Sequence, residues 1–179
     1  NNLGNQDNNP ATPNTVTINA GTLEVAGAGR LSSSNFVGEV INNGNFRFNS
    51  TANQTIAGAI TGSGTLEKNN NSTLTLTGPN SYAGTTTVSG GTLELNSTHT
   101  GGGIYTVQTG ATLGGSGTTD STVKVDAGGI IAPSLNTVET LGTGSVTISG
   151  ELDFQIDGDT DADLVDVTGT VTLGGTLDV

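Results

Sequence analysis

Four carboxylates at alternate positions in Asp157-Gly-Asp-Thr-Asp-Ala-Asp163, with Asp166 close behind, form the densest grouping of metal-ligating side chains in the sequence. A hard cation prefers several oxygen ligands, so Asp157, Asp159, Asp161 and Asp163 on one turn make a candidate calcium loop. The stretch departs from the EF-hand pattern. Ala162 stands at the sixth position, where that loop needs glycine, and Thr168 at the twelfth, where it needs glutamate. The competing reading is a solvated acidic hairpin, in which mutual repulsion favours a cation without requiring one. No other cofactor is expected.

The single histidine, His99, lies in Asn96-Ser-Thr-His-Thr-Gly-Gly-Gly103 and is the one candidate base for a nucleophilic triad. No nucleophile-elbow sequence surrounds any serine, so His99 reads as a solvated loop residue. A polysaccharide lyase would need clustered basic residues to take a proton and offset uronate charge. Arg30, Arg47, Lys68 and Lys124 are instead scattered along the chain. Glu151 and Asp153 on one strand face meet the carboxylate separation of a glycosidase, roughly 5 to 9.5 Å. Almost any acidic strand would do so, and the plain reading is charge directed into water. The chain is therefore expected not to be an enzyme, with a polysaccharide-active enzyme as the remote alternative. Threonine arrays such as Thr73/Thr75/Thr77 would suit an ice lattice only if evenly spaced, and β-branched threonine is expected on any wet strand face.

The elements that carry these residues follow from composition and repeats. Thr, Gly, Asn and Ser supply 94 of 179 residues, whereas aromatics make up 3% and charged residues 11%. That mixture is poor in helix formers and rich in turn and strand formers. The net charge of -12 opposes nucleic-acid binding and association with anionic membranes. No apolar run approaches the length of a spanning helix, so no membrane insertion is expected. There is no cysteine, and stability has to come from burial and backbone pairing. The opening residues lack the apolar stretch of a signal peptide, so the sequence reads as a processed form or an excised segment.

A strand-corner-strand unit recurs. Val16-Thr-Ile-Asn-Ala-Gly-Thr-Leu-Glu-Val25 is echoed by Thr86 to Leu95, Val123 to Ile131, Val146 to Phe154 and Val165 to Leu173. Corner glycines fall at 21, 44, 64, 91, 110, 128, 150 and 175, in steps of 23, 20, 27, 19, 18, 22 and 25 residues. Apolar residues alternate in pairs such as Phe46/Phe48, Leu74/Leu76, Leu93/Leu95, Val123/Val125 and Leu177/Val179, the period of strands with one buried face. The fold class is all-β, a parallel β-helix of about eight coils spanning residues 15–179, with a β-sandwich as the alternative. Residues 1–14, with Leu3 as their one large apolar side chain, read as a flexible arm or linker. Asn19, Asn43 and Asp126 are expected to hydrogen-bond at the corners and stack between coils.

The stretch Thr73-Leu-Thr-Leu-Thr-Gly-Pro-Asn-Ser-Tyr-Ala-Gly-Thr-Thr-Thr-Val-Ser-Gly-Gly-Thr-Leu-Glu-Leu95 closely resembles the autotransporter-associated β-strand repeat of bacterial surface and secreted proteins. Leu113-Gly-Gly-Ser-Gly117 and the segments 123–133, 146–157 and 164–179 look like the C-terminal part of such passengers. Ile131-Ala-Pro-Ser-Leu-Asn136 departs from the family's Pro-Gly-Asn form. The resemblance implies a right-handed helix, an extracellular or cell-surface location, and a structural, adhesive or display role.

A coil that ends in mid-strand at Thr176-Leu-Asp-Val179 exposes unpaired backbone and apolar core. The expectation is an extracellular structural or adhesive β-helix that either self-associates through its ends into a fibre or forms part of a passenger stalk. A surface module that binds a glycan, another host or cell-surface ligand, or calcium is the alternative.

Overall fold

A computed structural model describes residues 14–133, 139–153, 156–157 and 161–178. The described residues contain strands and turns and no helix. Alternation drives this outcome. In strands such as Asn45–Ser50 and Thr73–Leu76 every second side chain is buried, as one packed and one wet face require.

The chain winds into a right-handed parallel β-helix with three faces. One sheet has eight strands, Thr22–Gly27, Asn45–Ser50, Thr65–Lys68, Thr86–Val88, Tyr105–Val107, Val123–Val125, Val146–Ile148 and Val171–Leu173. The second also has eight, from Asn35–Phe36 through Gln54–Ile56, Thr73–Leu76, Gly91–Leu95, Ala111–Gly114, Ile130–Ile131 and Glu151–Asp153 to Thr176–Asp178. The third face begins with Val16–Ile18, Val40–Asn42 and Ile60–Thr61. It continues with Thr98–His99, Thr118–Thr119, Thr140–Thr143 and Leu164–Val167, and an Asn80–His99 bridge joins onto the latter group.

Every pairing within these faces is parallel, which overturns the sandwich alternative. The antiparallel pair among the described residues is the small hairpin Ile156–Asp157 with Asp161–Ala162, an excursion between the second and third faces. Eight strands are linked by seven steps, so the axial length from first to last strand is about 34 Å at one strand spacing per step. Coil length varies from 18 residues (Tyr105 to Val123) to 25 (Val146 to Val171).

The core is a set of columns along the axis. Phe46, Leu66, Thr86, Tyr105, Val123 and Val146 stack in register on the first sheet, and Leu74, Leu93, Leu113, Ile131 and Leu152 on the second. All are buried. Apart from the buried hydroxyls of Thr86 and Tyr105, each column is apolar on its inner side, and it is hydrogen-bonded coil to coil through the backbone. Sheet pairing and burial therefore reinforce one another in each coil.

The corner glycines fall into separate columns, which corrects the single series expected from the sequence. Gly44 and Gly64 precede strands of the first sheet, whereas Gly91 opens a strand of the second. The long apparent step between Gly64 and Gly91 is a change of face. The first column continues at Gly84 and Gly103, where a Cβ would stand 2.2 and 1.9 Å from the carbonyl oxygens of Gly64 and Gly84. Glycine is required there because successive backbones touch. At Gly91 the reason is also conformational, with φ at 63°.

At the start of the described chain the carbonyl of Asn14 lies against Gly38. The rest of the expected arm, residues 1–13, lies outside the described residues. At the last coil Leu177 is 61% exposed instead of buried, while Phe154 and Val179 lie outside the described residues.

Candidate functional site

The acidic stretch divides between a hairpin and the third face. Asp157 and Asp161 are backbone partners across the hairpin. Their side chains, and Asp159 altogether, lie outside the described residues. Asp163 is 5% exposed, and its Oδ1 accepts the Glu139 N–H at 2.9 Å. One oxygen of this candidate ligand is thus already engaged in tying two neighbouring coils together.

His99 is not solvated. It is fully buried, which corrects the loop reading. The two-residue strand Thr98–His99 turns its ring inward, against Tyr82 (centroids 4.2 Å apart, stacked) and Tyr105 (5.5 Å, edge-on). Nε2 lies 2.9 Å from the Tyr82 carbonyl oxygen and Nδ1 lies 2.6 Å from the Tyr105 hydroxyl. A carbonyl can only accept, so Nε2 carries the proton and Nδ1 accepts from Tyr105. The Tyr82 hydroxyl closes the cluster at 2.7 Å from Thr86 Oγ1. Burial pushes the imidazole below its ordinary value, with the bond to the Tyr82 carbonyl opposing, and pushes both phenols up. Sealed and fully bonded, His99 has no face for a substrate.

Lys68 occupies an inward position between Phe48 and Val88. Its Nζ donates to the carbonyls of Asn69, Asn70 and Gly90 at 2.8, 2.7 and 2.9 Å. All three ammonium protons are used at a corner where Asn70 adopts a φ of 66°. Burial lowers the lysine to about 8.

On the outside of the first sheet Arg47 donates to Glu67 at 2.6 Å, and Asn45 donates to the other oxygen of the same carboxylate at 2.8 Å. The hydrogen bond from Arg47 holds Glu67 below the usual carboxylate range. Glu24 accepts from Asn49. These groups satisfy one another. Glu151 and Asp153 stand at alternate positions on one strand with Leu152 turned into the core between them.

The outer face of the second sheet carries a shallow cleft of about 380 Å³, lined by Ser34, Asn35, Asn53, Gln54, Thr55, Thr73, Thr75 and Glu94. Its centre is the column Asn35–Thr55–Thr75–Glu94, one residue from each of four consecutive coils. Thr73 N donates to Asn53 Oδ1 at 2.9 Å, and Thr75 Oγ1 donates to Glu94 Oε2 at 2.8 Å. Below them Gln54 is buried and clamped to Leu31 and Ser33. The floor is fixed while the outward amides, hydroxyls and one carboxylate face solvent. The sequence marked these threonines as wet-face residues, but only register across coils reveals that they line up with Asn35 and Glu94.

The family description passenger-associated-transport-repeat matches residues 66–95, a span that contains Lys68, Tyr82, Thr86 and three residues of the cleft. Residues 66–95 are similar to a passenger-associated-transport-repeat. The transport repeat takes in the 73–95 stretch singled out by resemblance and adds the preceding strand of the first sheet. The chain is also 42% identical over 83 residues to "Adhesin BmaC autotransporter" of Brucella suis biovar 1 (strain 1330). That match takes in 46% of this chain and 2% of the much longer relative. No solved structure matches the chain. A transport repeat of this kind is autotransporter passenger sequence, and its location is extracellular or at the cell surface.

Proposed function

We propose that this chain is a non-catalytic structural and adhesive segment of an extracellular passenger, a rod whose outer faces contact a glycan or another host or cell-surface ligand. The observation that carries this reading is the unbroken parallel register of two eight-stranded sheets around one apolar core, in a chain that bears a transport repeat. Such a rod holds its side faces at fixed spacing far from an anchoring surface. The Brucella relative is named an adhesin, which supports contact with a surface ligand. A non-catalytic role is supported by the groups a reaction would need. His99 is sealed, Lys68 is bonded to three carbonyls, and Arg47 is paired with Glu67.

Beads coated with the purified chain test this reading on cultured cells. Retention well above that of beads coated with an inert protein is expected, and equal retention would count against an adhesive role.

The finer reading concerns the end of the rod. Val171, Leu173 and Leu177 on the last described strands are 51%, 63% and 61% exposed, and those strands present an open edge. In a stalk the next coil of the same polypeptide covers them; in a fibre a second copy does, head to tail. Sedimentation across a concentration series distinguishes the two. Fibre formation predicts growing species that are lost in Leu173→Asp with Leu177→Asp, and a monomer at every concentration leaves the stalk.

A further inference from the structure

We infer that the cleft on the outer face of the second sheet binds a hydroxyl-rich oligosaccharide carrying free amino groups, laid along the rod axis. This inference rests on the adhesive reading and gives it a site and a ligand class. The column Asn35–Thr55–Thr75–Glu94 repeats at one strand spacing, about 4.8 Å, over four coils. That interval is comparable to the length of one sugar unit, so successive rings of a linear glycan meet equivalent positions on successive coils.

The chemistry fits the geometry. Asn53 Oδ1 is taken by the Thr73 N–H, which leaves its Nδ2 as an outward donor. Glu94 Oε2 is taken by Thr75, which leaves Oε1 as an acceptor. The hydroxyls of Thr55 and Thr73 and the Asn35 amide make no side-chain hydrogen bond to other described residues. A surface offering donors and acceptors in alternation suits hydroxyl groups. Glu94 is the one charged side chain in the lining, on a chain with a net charge of -12. A protonated amine is therefore favoured at Glu94, while the Arg30 guanidinium beside the cleft is already bonded to the Asn53 carbonyl at 2.9 Å. The Arg47–Glu67 patch on the neighbouring sheet lacks this capacity because its charges already satisfy one another.

No aromatic side chain lines the cleft, so affinity at one cleft is low and useful adhesion comes from repeated display. The test is an NMR titration of the purified chain with the glucosamine trisaccharide, its fully N-acetylated counterpart and trigalacturonic acid. The expected result is shifts confined to the cleft residues, binding of the glucosamine trimer at least tenfold tighter than of the other two, and a tenfold or greater loss in Glu94→Gln. Thr55→Val and Thr73→Val keep the β-branched strand shape and should weaken binding severalfold with unchanged circular dichroism. Absence of cleft shifts with the glucosamine trimer, equal binding of the acetylated or acidic trimer, or full affinity in these variants would each overturn the assignment. The bead assay separates the two levels. Variants that lose no retention remove the cleft but leave the adhesive reading, whereas a wild-type chain that binds the trimer but retains no beads does the reverse.

Discussion

His99 illustrates how a residue with the chemistry of a base becomes a structural group. Its ring is enclosed between two tyrosines, and each nitrogen has one partner in a geometry that fits the neutral tautomer. Because the folded-state value is depressed, the unfolded chain binds the proton first as pH falls. The stability this group contributes is complete above the unfolded value near 6.5 and is lost as pH falls from there through the depressed folded value. Urea unfolding between pH 7.5 and 5 should therefore show declining stability. His99→Gln, which removes the Nδ1 partner of Tyr105 and the ring stacked on Tyr82, should be about 1–3 kcal/mol less stable at pH 7.5 and flatter across that window. An unaltered slope in the variant would assign the pH dependence to other groups. The sequence hid this cluster because Tyr82 lies one coil before His99 while Tyr105 lies on the next face of the His99 coil, and nothing local distinguishes a histidine between threonines from a loop residue. The available signal was the coil repeat that sets His99 opposite Asn80 and Tyr105 opposite Thr86, not the spacing of the three residues themselves.

Among the elements, the strands were legible and the corners only partly so. Period-two alternation identified Phe46/Phe48, Leu74/Leu76 and Leu93/Leu95 as buried pairs because burial of one strand face leaves a direct imprint on sequence. Corner glycines leave a weaker imprint. Two faces use the same residue, so the series slips from one column to the other after Gly64. Asn43 does act between coils, accepting from the Ser63 N–H and hydroxyl, whereas Asp126 takes the ammonium of Lys124 on its own coil. The glycine columns predict a sharp contrast. Gly64→Ala drives a Cβ to 2.2 Å from a backbone carbonyl oxygen that cannot move away without parting two coils. It should cost about 1–3 kcal/mol or more in urea unfolding. Gly102→Ala meets no atom within 4 Å and should be nearly neutral. Similar losses at both positions would refute the close-packed column.

At the scale of the whole molecule, function follows from a rod with addressable faces. The cleft was invisible in one dimension because Asn35, Thr55, Thr75 and Glu94 become neighbours only when four coils are in register. That register is the central claim, and distances between spin labels measure it most directly. With one label replacing Glu24 and a second replacing Lys124, Thr147 or Thr172, all outward positions of the first sheet, the pairs are five, six and seven coils apart. Electron–electron resonance should give backbone separations of about 24, 29 and 34 Å, rising by one strand spacing per coil. Distances that fail to increase along this series, or that pass through a minimum as antiparallel neighbours would, contradict the parallel helix and with it the aligned cleft.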